Sequence, residues 1–208
     1  MDDLVNKIES LKNSDIKKKI TKRIKEFKRI NRNSSDELFN ELCYCILTAR
    51  TSAEKCFDID KTNKDIFLTG SYKEISKKLK QYNYPLASQR AKYISKAFRK
   101  KDQLREKIRI LQGEDLRYWI KKNFLGIGYK EASHFLRNIG FDNYAIVDRH
   151  IVDILVQQKM IKRPKIPYSK DSYLQIEQVL YNLAKKVNLS LAELDLYLWY
   201  LETGKILK

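Results

Sequence analysis

The feature that most constrains the fold is a short segment with two glycines, Leu125-Gly126-Ile127-Gly128, set between two helical patterns. Apolar residues recur three or four positions apart on both sides, at Leu116, Trp119 and Ile120 and then at Ala132, Phe135, Leu136 and Ile139. Glycines one residue apart permit a sharp turn, and Gly140 supplies a stop signal for the second helix. The pattern predicts a helix, a tight hairpin over about residues 124–130, and a second helix.

The start of that second helix has the chemistry of an anion site. Backbone N–H groups at a helix N-terminus and the positive end of the helix dipole both attract a phosphate. We expect Gly126, Ile127 and Gly128 to present such amides to a nucleic-acid backbone. Lys130 is expected about one turn into the helix, and Asp148 follows it in the segment Val147-Asp148-Arg149-His150.

The hairpin, Lys130 and Asp148 together resemble the helix-hairpin-helix DNA glycosylases. Within that superfamily, two segments are similar to the 8-oxoguanine DNA glycosylase/AP lyases of the Ogg2 type. They are Lys130-Glu131-Ala132-Ser133-His134-Phe135-Leu136-Arg137-Asn138 and the tail from Trp199 to Lys208. The resemblance implies that Lys130 is the nucleophile and Asp148 its essential partner. It also implies a bifunctional enzyme, because members without the lysine only hydrolyse the base.

Each of these two residues also has an ordinary interpretation. A neutral lysine amine can attack C1′ of the sugar and form a Schiff base, whereas a charged one beside the hairpin would simply bind phosphate. A carboxylate can stabilise the positive charge that develops on the sugar. Asp148 also precedes an apolar run, as an N-cap does, and one rigid carboxylate can serve both purposes.

Three further site residues come from the resemblance. It implies that Trp199 stacks on the extruded base and that the C-terminal lysine, Lys208, reaches the base pocket; the alternatives are core packing and a disordered end. Arg50 stands where the family commonly has an amide that fills the gap left by the base. It is either a strand wedge or an exposed arginine. Pro85-Leu86-Ala87 replaces the family's usual Arg-Phe-Tyr type of sequence, so lesion contacts from that loop cannot be transferred.

Composition agrees with a nucleic-acid partner. The 208 residues include 43 Lys and Arg against 26 Asp and Glu, a net charge of +17. This charge favours a polyanionic partner, with nucleic acid ahead of an anionic membrane, although a lysine-rich soluble protein would look the same. The resemblance implies that the partner is double-stranded DNA containing an oxidised base. With no long apolar run and an acidic N-terminus, the chain is expected to be a cytoplasmic monomer without membrane contact. We expect no metal or organic cofactor, and no cysteine follows Cys56 that could hold an iron–sulfur cluster near the C-terminus.

Helical periodicity nearly everywhere predicts an all-α fold, and the resemblance implies two lobes. We expect one lobe over residues 33–143, carrying the hairpin, and a second from residues 1–32 and 144–208. The predicted function is excision of 8-oxoguanine from duplex DNA, with strand cleavage by β-elimination. The alternatives are the same chemistry on another oxidised base, or a non-catalytic helix-hairpin-helix DNA-binding protein.

Overall fold

The structure, a computed structural model, describes residues 2–30, 34–49, 51 and 53–208. Within those ranges the chain forms twelve helices and no strand, which confirms the all-α fold class. Their bounds are α1 Asp2–Lys12, α2 Asp15–Ile30, α3 Ser35–Thr48, α4 Ala53–Thr69, α5 Tyr72–Gln81, α6 Ala87–Phe98, α7 Lys101–Ile110, α8 Gly113–Asn123, α9 Tyr129–Asn138, α10 Arg149–Gln157, α11 Lys170–Lys186 and α12 Leu191–Thr203. No helix in this part of the chain is long and apolar enough to cross a bilayer.

Serine caps define several helix starts. Ser34 accepts a hydrogen bond from the Glu37 N–H at 3.4 Å, and Ser71 and Glu74 form a reciprocal capping box. A second reciprocal box, between Ser190 and Glu193, starts α12. These side chains satisfy backbone N–H groups that a helix start otherwise leaves unpaired.

The helix α4 has no clear signal in the sequence. Its buried apolar residues Cys56, Ile59 and Phe67 are sparse, and its backbone leaves helical geometry at Asn63, where φ is −137° and ψ is 22°. The Asn63 side-chain amide donates to the Ile59 carbonyl at 2.8 Å, within the same helix. Because the break changes the phase of the apolar face, no single helical period runs through the segment.

Buried side chains gather into two hydrophobic clusters. The larger draws on residues between 38 and 144, and the smaller on residues 4–27 together with 145–198. On this basis we propose the division into lobes 33–143 and 1–32 plus 144–208. The chain passes from one cluster to the other between Tyr144 and Ala145, while the boundary near residue 32 lies outside the described residues.

Gly140 permits a close approach between the end of α9 and the end of α2. Its φ is +95°, and a Cβ at this position would lie 2.7 Å from the Lys28 Cα and 3.1 Å from the Phe27 carbonyl oxygen. Both obstacles are backbone atoms, so they cannot move aside as a flexible side chain would. The glycine therefore stops α9 and also lets α2 pack against it.

We expect Gly140→Ala to lower the free energy of unfolding by about 2–4 kcal/mol, since it adds overlap with the α2 backbone to the strain of a positive φ. Urea denaturation followed by circular dichroism measures this. Gly113→Ala is the matched control, because Gly113 also has a positive φ (+53°), but a Cβ at this position would meet no atom of the described residues within 4 Å beyond its chain neighbours. Equal losses in the two variants would show that the contact with α2 is unimportant.

Candidate active site

A cavity of about 770 Å³ opens where α9, the start of α10, α12 and the chain after α12 meet. Lys130 and Asp148 both line it, and so do Trp199 and Lys208. Its mouth includes Ile166, which is 76% exposed. Four of the residues that the sequence singles out are therefore brought to a single cavity.

The hairpin that leads into α9 needs glycine at Gly126. Here φ is +83°, and a Cβ would lie 2.7 Å from the Tyr93 ring and 3.0 Å from an Arg90 side-chain nitrogen. Gly128 differs: its backbone is extended, with φ −95°, and it is the N-cap of α9. The turn is therefore fixed by the first glycine, while the second sits at the helix start.

Two of the three hairpin amides already have partners within the molecule. The Gly128 N–H donates to the Glu131 carboxylate at 3.0 Å, and the Ile127 N–H donates to the Phe124 carbonyl at a long 3.4 Å. A carboxylate thus occupies the position at which an anion is expected. Phosphate binding by Gly126, Ile127 and Gly128 stays a prediction. For the Gly128 N–H to bind phosphate, its hydrogen bond to the Glu131 carboxylate must break.

Lys130 is the second residue of α9, so it lies nearer the helix start than the full turn expected from the sequence. Its side chain is 26% exposed, and its amine is 4.0 Å from the Glu131 carboxylate. The lysine is therefore partly sheltered in the cavity wall, at the positive end of the α9 dipole.

Asp148 is the N-cap of α10, as the sequence predicts. Its Oδ1 accepts from the Ile151 N–H at 2.9 Å, and the preceding Val147 N–H donates to the Tyr173 hydroxyl at 3.2 Å. These bonds hold the carboxylate in place on the cavity wall. Capping and a position facing the cavity are thus compatible in the same side chain.

Trp199 and Lys208 also belong to the wall of the cavity. The Trp199 ring lies edge-on to His150, with 5.3 Å between ring centroids, and its buried indole nitrogen has no hydrogen-bond partner among the described residues. Lys208 is 9% exposed, and its amine lies 2.8 Å from Glu41 and 2.6 Å from Asp60. Its side chain is therefore packed into the protein.

The sequence departs from the family pattern at two places, Arg50 and Pro85-Leu86-Ala87. Arg50, the strand-wedge candidate, lies outside the described residues, although its neighbours Thr48 and Thr51 both line the cavity. Pro85-Leu86-Ala87 is not part of the lining found among the described residues. This loop instead supports the end of α3, because the neighbouring Tyr84 hydroxyl donates to the Leu47 carbonyl at 2.5 Å.

The cavity residues to which the sequence analysis gave no role include three with buried or largely buried polar side chains: His134, Arg137 and Asp195. His134 and Arg137 follow Lys130 on one face of α9, at spacings of four and three residues, which a helical projection reveals. Asp195 is a lone carboxylate in the apolar stretch of α12, and its Oδ2 accepts from the Arg137 guanidinium at 2.5 Å. Asp195 is the one charged residue in the run from Leu194 to Leu201, and that is the signal that would have found it.

Burial changes the titration of two of these groups. Burial lowers the pKa of His134 well below its ordinary value of 6.5, and the nearby cations Arg137 and Lys130 lower it further. His134 is therefore neutral at pH 7. Burial raises the pKa of Asp195 to about 6, although the Arg137 guanidinium opposes that change. Asp195 is mostly ionised at neutral pH and pairs with Arg137.

Among the described residues, no group of three or more His, Cys, Asp or Glu side chains is arranged to hold a metal ion. The described lining supplies amines, carboxylates, guanidinium groups, imidazoles and an indole, from Lys130, Lys208, Glu131, Asp148, Asp195, Arg137, Arg149, His134, His150 and Trp199. An amine and a carboxylate in one cavity suit attack on an electrophilic carbon that develops positive charge.

Comparison with known proteins gives consistent results. Residues 20–189 match the Ogg-HhH family model, described as 8-oxoguanine DNA glycosylase. The chain is 47% identical to the 8-oxoguanine DNA glycosylase/AP lyase of Methanocaldococcus jannaschii over 206 residues, which is 99% of each chain. It is 43% identical to the protein of the same name from Korarchaeum cryptofilum, over 100% of this chain and 99% of the relative.

Solved structures agree. The crystal structure of the M. jannaschii 8-oxoguanine glycosylase/lyase in complex with 15mer DNA containing 8-oxoguanine superposes with a TM-score of 0.95 at 46% identity, covering 99% of both chains. The 8-oxoguanine DNA glycosylase of Thermotoga maritima gives 0.92 at 32% identity, covering 100% of this chain and 99% of that one. The chain belongs to the 8-oxoguanine DNA glycosylase family and has its all-α helix-hairpin-helix fold.

Proposed function

We propose that this protein excises 8-oxoguanine from duplex DNA and then cleaves the strand at the abasic site. The observation that carries the proposal is that Lys130 and Asp148, from different helices, line one cavity of about 770 Å³ beside the hairpin. Such a volume is within the range of small-molecule sites, and a base extruded from the stack needs a pocket of this kind.

The proposed nucleophile is the Lys130 amine. In its neutral form it attacks C1′ of the deoxyribose, the bond from C1′ to the base nitrogen breaks, and the base departs with that electron pair and a proton. The nitrogen lone pair then forms a double bond to C1′, the C1′–O4′ bond breaks and O4′ takes up a proton, which opens the sugar ring and leaves a protonated Schiff base. Removal of a C2′ proton then expels the 3′ phosphate, which breaks the strand by β-elimination.

Asp148 is proposed to stabilise the positive charge that the sugar acquires as the base leaves. Its hydrogen bond to the Ile151 N–H keeps the carboxylate in place, and a fixed charge in a partly sheltered site acts strongly on a developing opposite charge. The neutral His134 and the Asp195–Arg137 pair add little net charge to the wall.

We further propose that the base lies between the two hydrophobic clusters, with Trp199 stacked on it and Lys208 at its edge. 8-Oxoguanine presents an N7–H donor where guanine has an acceptor, so polar groups at that edge can distinguish the two. The hairpin would hold the backbone of the same strand. With DNA as its substrate, we propose that the protein acts in the cell compartment that contains the chromosome.

Lys130→Gln should abolish covalent trapping by borohydride on a duplex with 8-oxoguanine or an abasic site, because the imine cannot form. Lys121→Gln is the control: Lys121 lies near the hairpin, with its amine 4.8 Å from the Tyr129 ring, and does not line the cavity. It should still be trapped. If the wild-type protein gives no adduct on any oxidised base or abasic site, the chain is a DNA-binding module instead.

Asp148→Asn should reduce the single-turnover rate of base excision by about 100-fold or more, because the charge that stabilises the sugar is lost. Asparagine caps helices as well as aspartate does, so the unfolding free energy should change by less than about 0.5 kcal/mol. An excision rate within about threefold of the wild type would leave Asp148 with a capping role alone.

Affinity for duplex DNA should fall steeply with salt, with a log–log slope of about −0.9 for each phosphate contacted. The net charge of +17 and the hairpin amides both favour several such contacts. Fluorescence anisotropy from low to moderate salt measures the slope. An affinity that does not change with salt concentration across this range would contradict binding through the phosphate backbone.

A further inference from the structure

The Lys208 side chain ends in a buried cluster of charges that does not belong to the cavity wall. Its amine lies between the carboxylates of Glu41, on α3, and Asp60, on α4, at 2.8 and 2.6 Å. The two carboxylate side chains are only 3% and 4% exposed. Among the described residues, the cavity lining includes Lys208 but neither of these acids.

The backbone of Lys208 is held as well. The Tyr44 hydroxyl, on the same face of α3 as Glu41, donates to the Lys208 carbonyl oxygen at 2.8 Å. Tyr44 is fully buried, and the Lys208 amine also lies 4.3 Å from the centre of its ring. Lys208 is thus fixed at both ends by the three residues Glu41, Tyr44 and Asp60, which we call the Lys208 clamp.

The electrostatics require the clamp to act as a unit. Burial alone would lower the pKa of the Lys208 amine, but Glu41 and Asp60 raise it above its ordinary value, so the amine stays charged. An ammonium group buried without partners would be strongly unfavourable. Removing one carboxylate therefore favours a Lys208 that swings out to water and takes its backbone away from the cavity.

The clamp is also connected to the helix that carries Lys130. The Asn138 side-chain amide donates to Glu41 at 2.6 Å, and the Arg137 guanidinium donates to Asn138 at 2.9 Å and to Asp195 at 2.5 Å. This buried chain of hydrogen bonds runs from the clamp to the cavity wall. It leaves the clamp little freedom to shift relative to α9.

We propose that Glu41, Tyr44 and Asp60 are positioning residues that determine base selectivity by holding Lys208 at the edge of the base pocket. The inference rests on the proposed function, because it assumes that the cavity receives the extruded base. None of the three is placed to touch the base or the sugar. Their effect should therefore fall on the choice of base and leave the lysine chemistry at an abasic site intact.

The test compares two single-turnover rates in each variant: excision from an 8-oxoguanine duplex, and strand cleavage at a preformed abasic site. Asp60→Asn and Glu41→Gln should lower the rate of 8-oxoguanine excision by about tenfold or more, because the buried Lys208 charge loses a partner. The rate of strand cleavage at the abasic site should change by less than about threefold. Excision of 8-oxoguanine relative to undamaged guanine should fall in parallel.

Non-additivity gives a readout that general destabilisation would not produce. If the clamp acts through Lys208, then Asp60→Asn should reduce selectivity no further once Lys208→Met is present. Tyr44→Phe removes only a hydroxyl group, so it provides a mild variant should the charge variants fold poorly. It should lower excision and spare abasic-site cleavage in the same way.

Glu177→Gln is the matched control. Glu177 forms a buried ion pair with Arg117, with the closest atoms 2.6 Å apart, but does not line the cavity. This variant should lose stability while keeping the ratio of the two rates. If the clamp variants also keep that ratio and the selectivity, the positioning proposal is wrong; if the wild type does not excise 8-oxoguanine, the proposed function itself fails.

Discussion

The buried contact between Arg137 and Asp195 is the interaction on which the arrangement of the site depends. The side chains are 4% and 13% exposed, and they join α9 to α12. Leaving either charge buried without its partner would cost about 3–5 kcal/mol. Because Lys130 lies two turns before Arg137 and Trp199 lies one turn after Asp195, this pair fixes the helix of the proposed nucleophile relative to the helix of the proposed stacking residue.

The helix α9 therefore has two functions at once. Its apolar side packs into the larger hydrophobic cluster through Ala132, Phe135 and Leu136, while Lys130 and His134 face the cavity. The hairpin sets where the helix begins, and Gly140 sets where it ends against α2. Because α9 is held at its start, along its apolar side and at its end, it positions the Lys130 amine rigidly. Preorganised electrostatic catalysis requires such rigid positioning.

Sequence reasoning predicted the all-α fold, most helices and the hairpin, because these depend on local spacing, caps and glycines. It also selected Lys130, Asp148, Trp199 and Lys208, which meet at one cavity. It did not find α4, whose apolar phase breaks at Asn63, or the Arg137–Asp195 pair, which joins residues far apart in the chain. Contacts of that kind depend on tertiary packing, which a periodicity argument cannot supply.

The most direct test of the central claim is a crystal structure of Lys130→Gln bound to a duplex that contains 8-oxoguanine. The account predicts an extruded base in the cavity between α9 and α12, with its C1′ facing residue 130 on one side and Asp148 on the other. A base that stays stacked in the duplex, or one that leaves it at a surface remote from these two residues, would contradict the account.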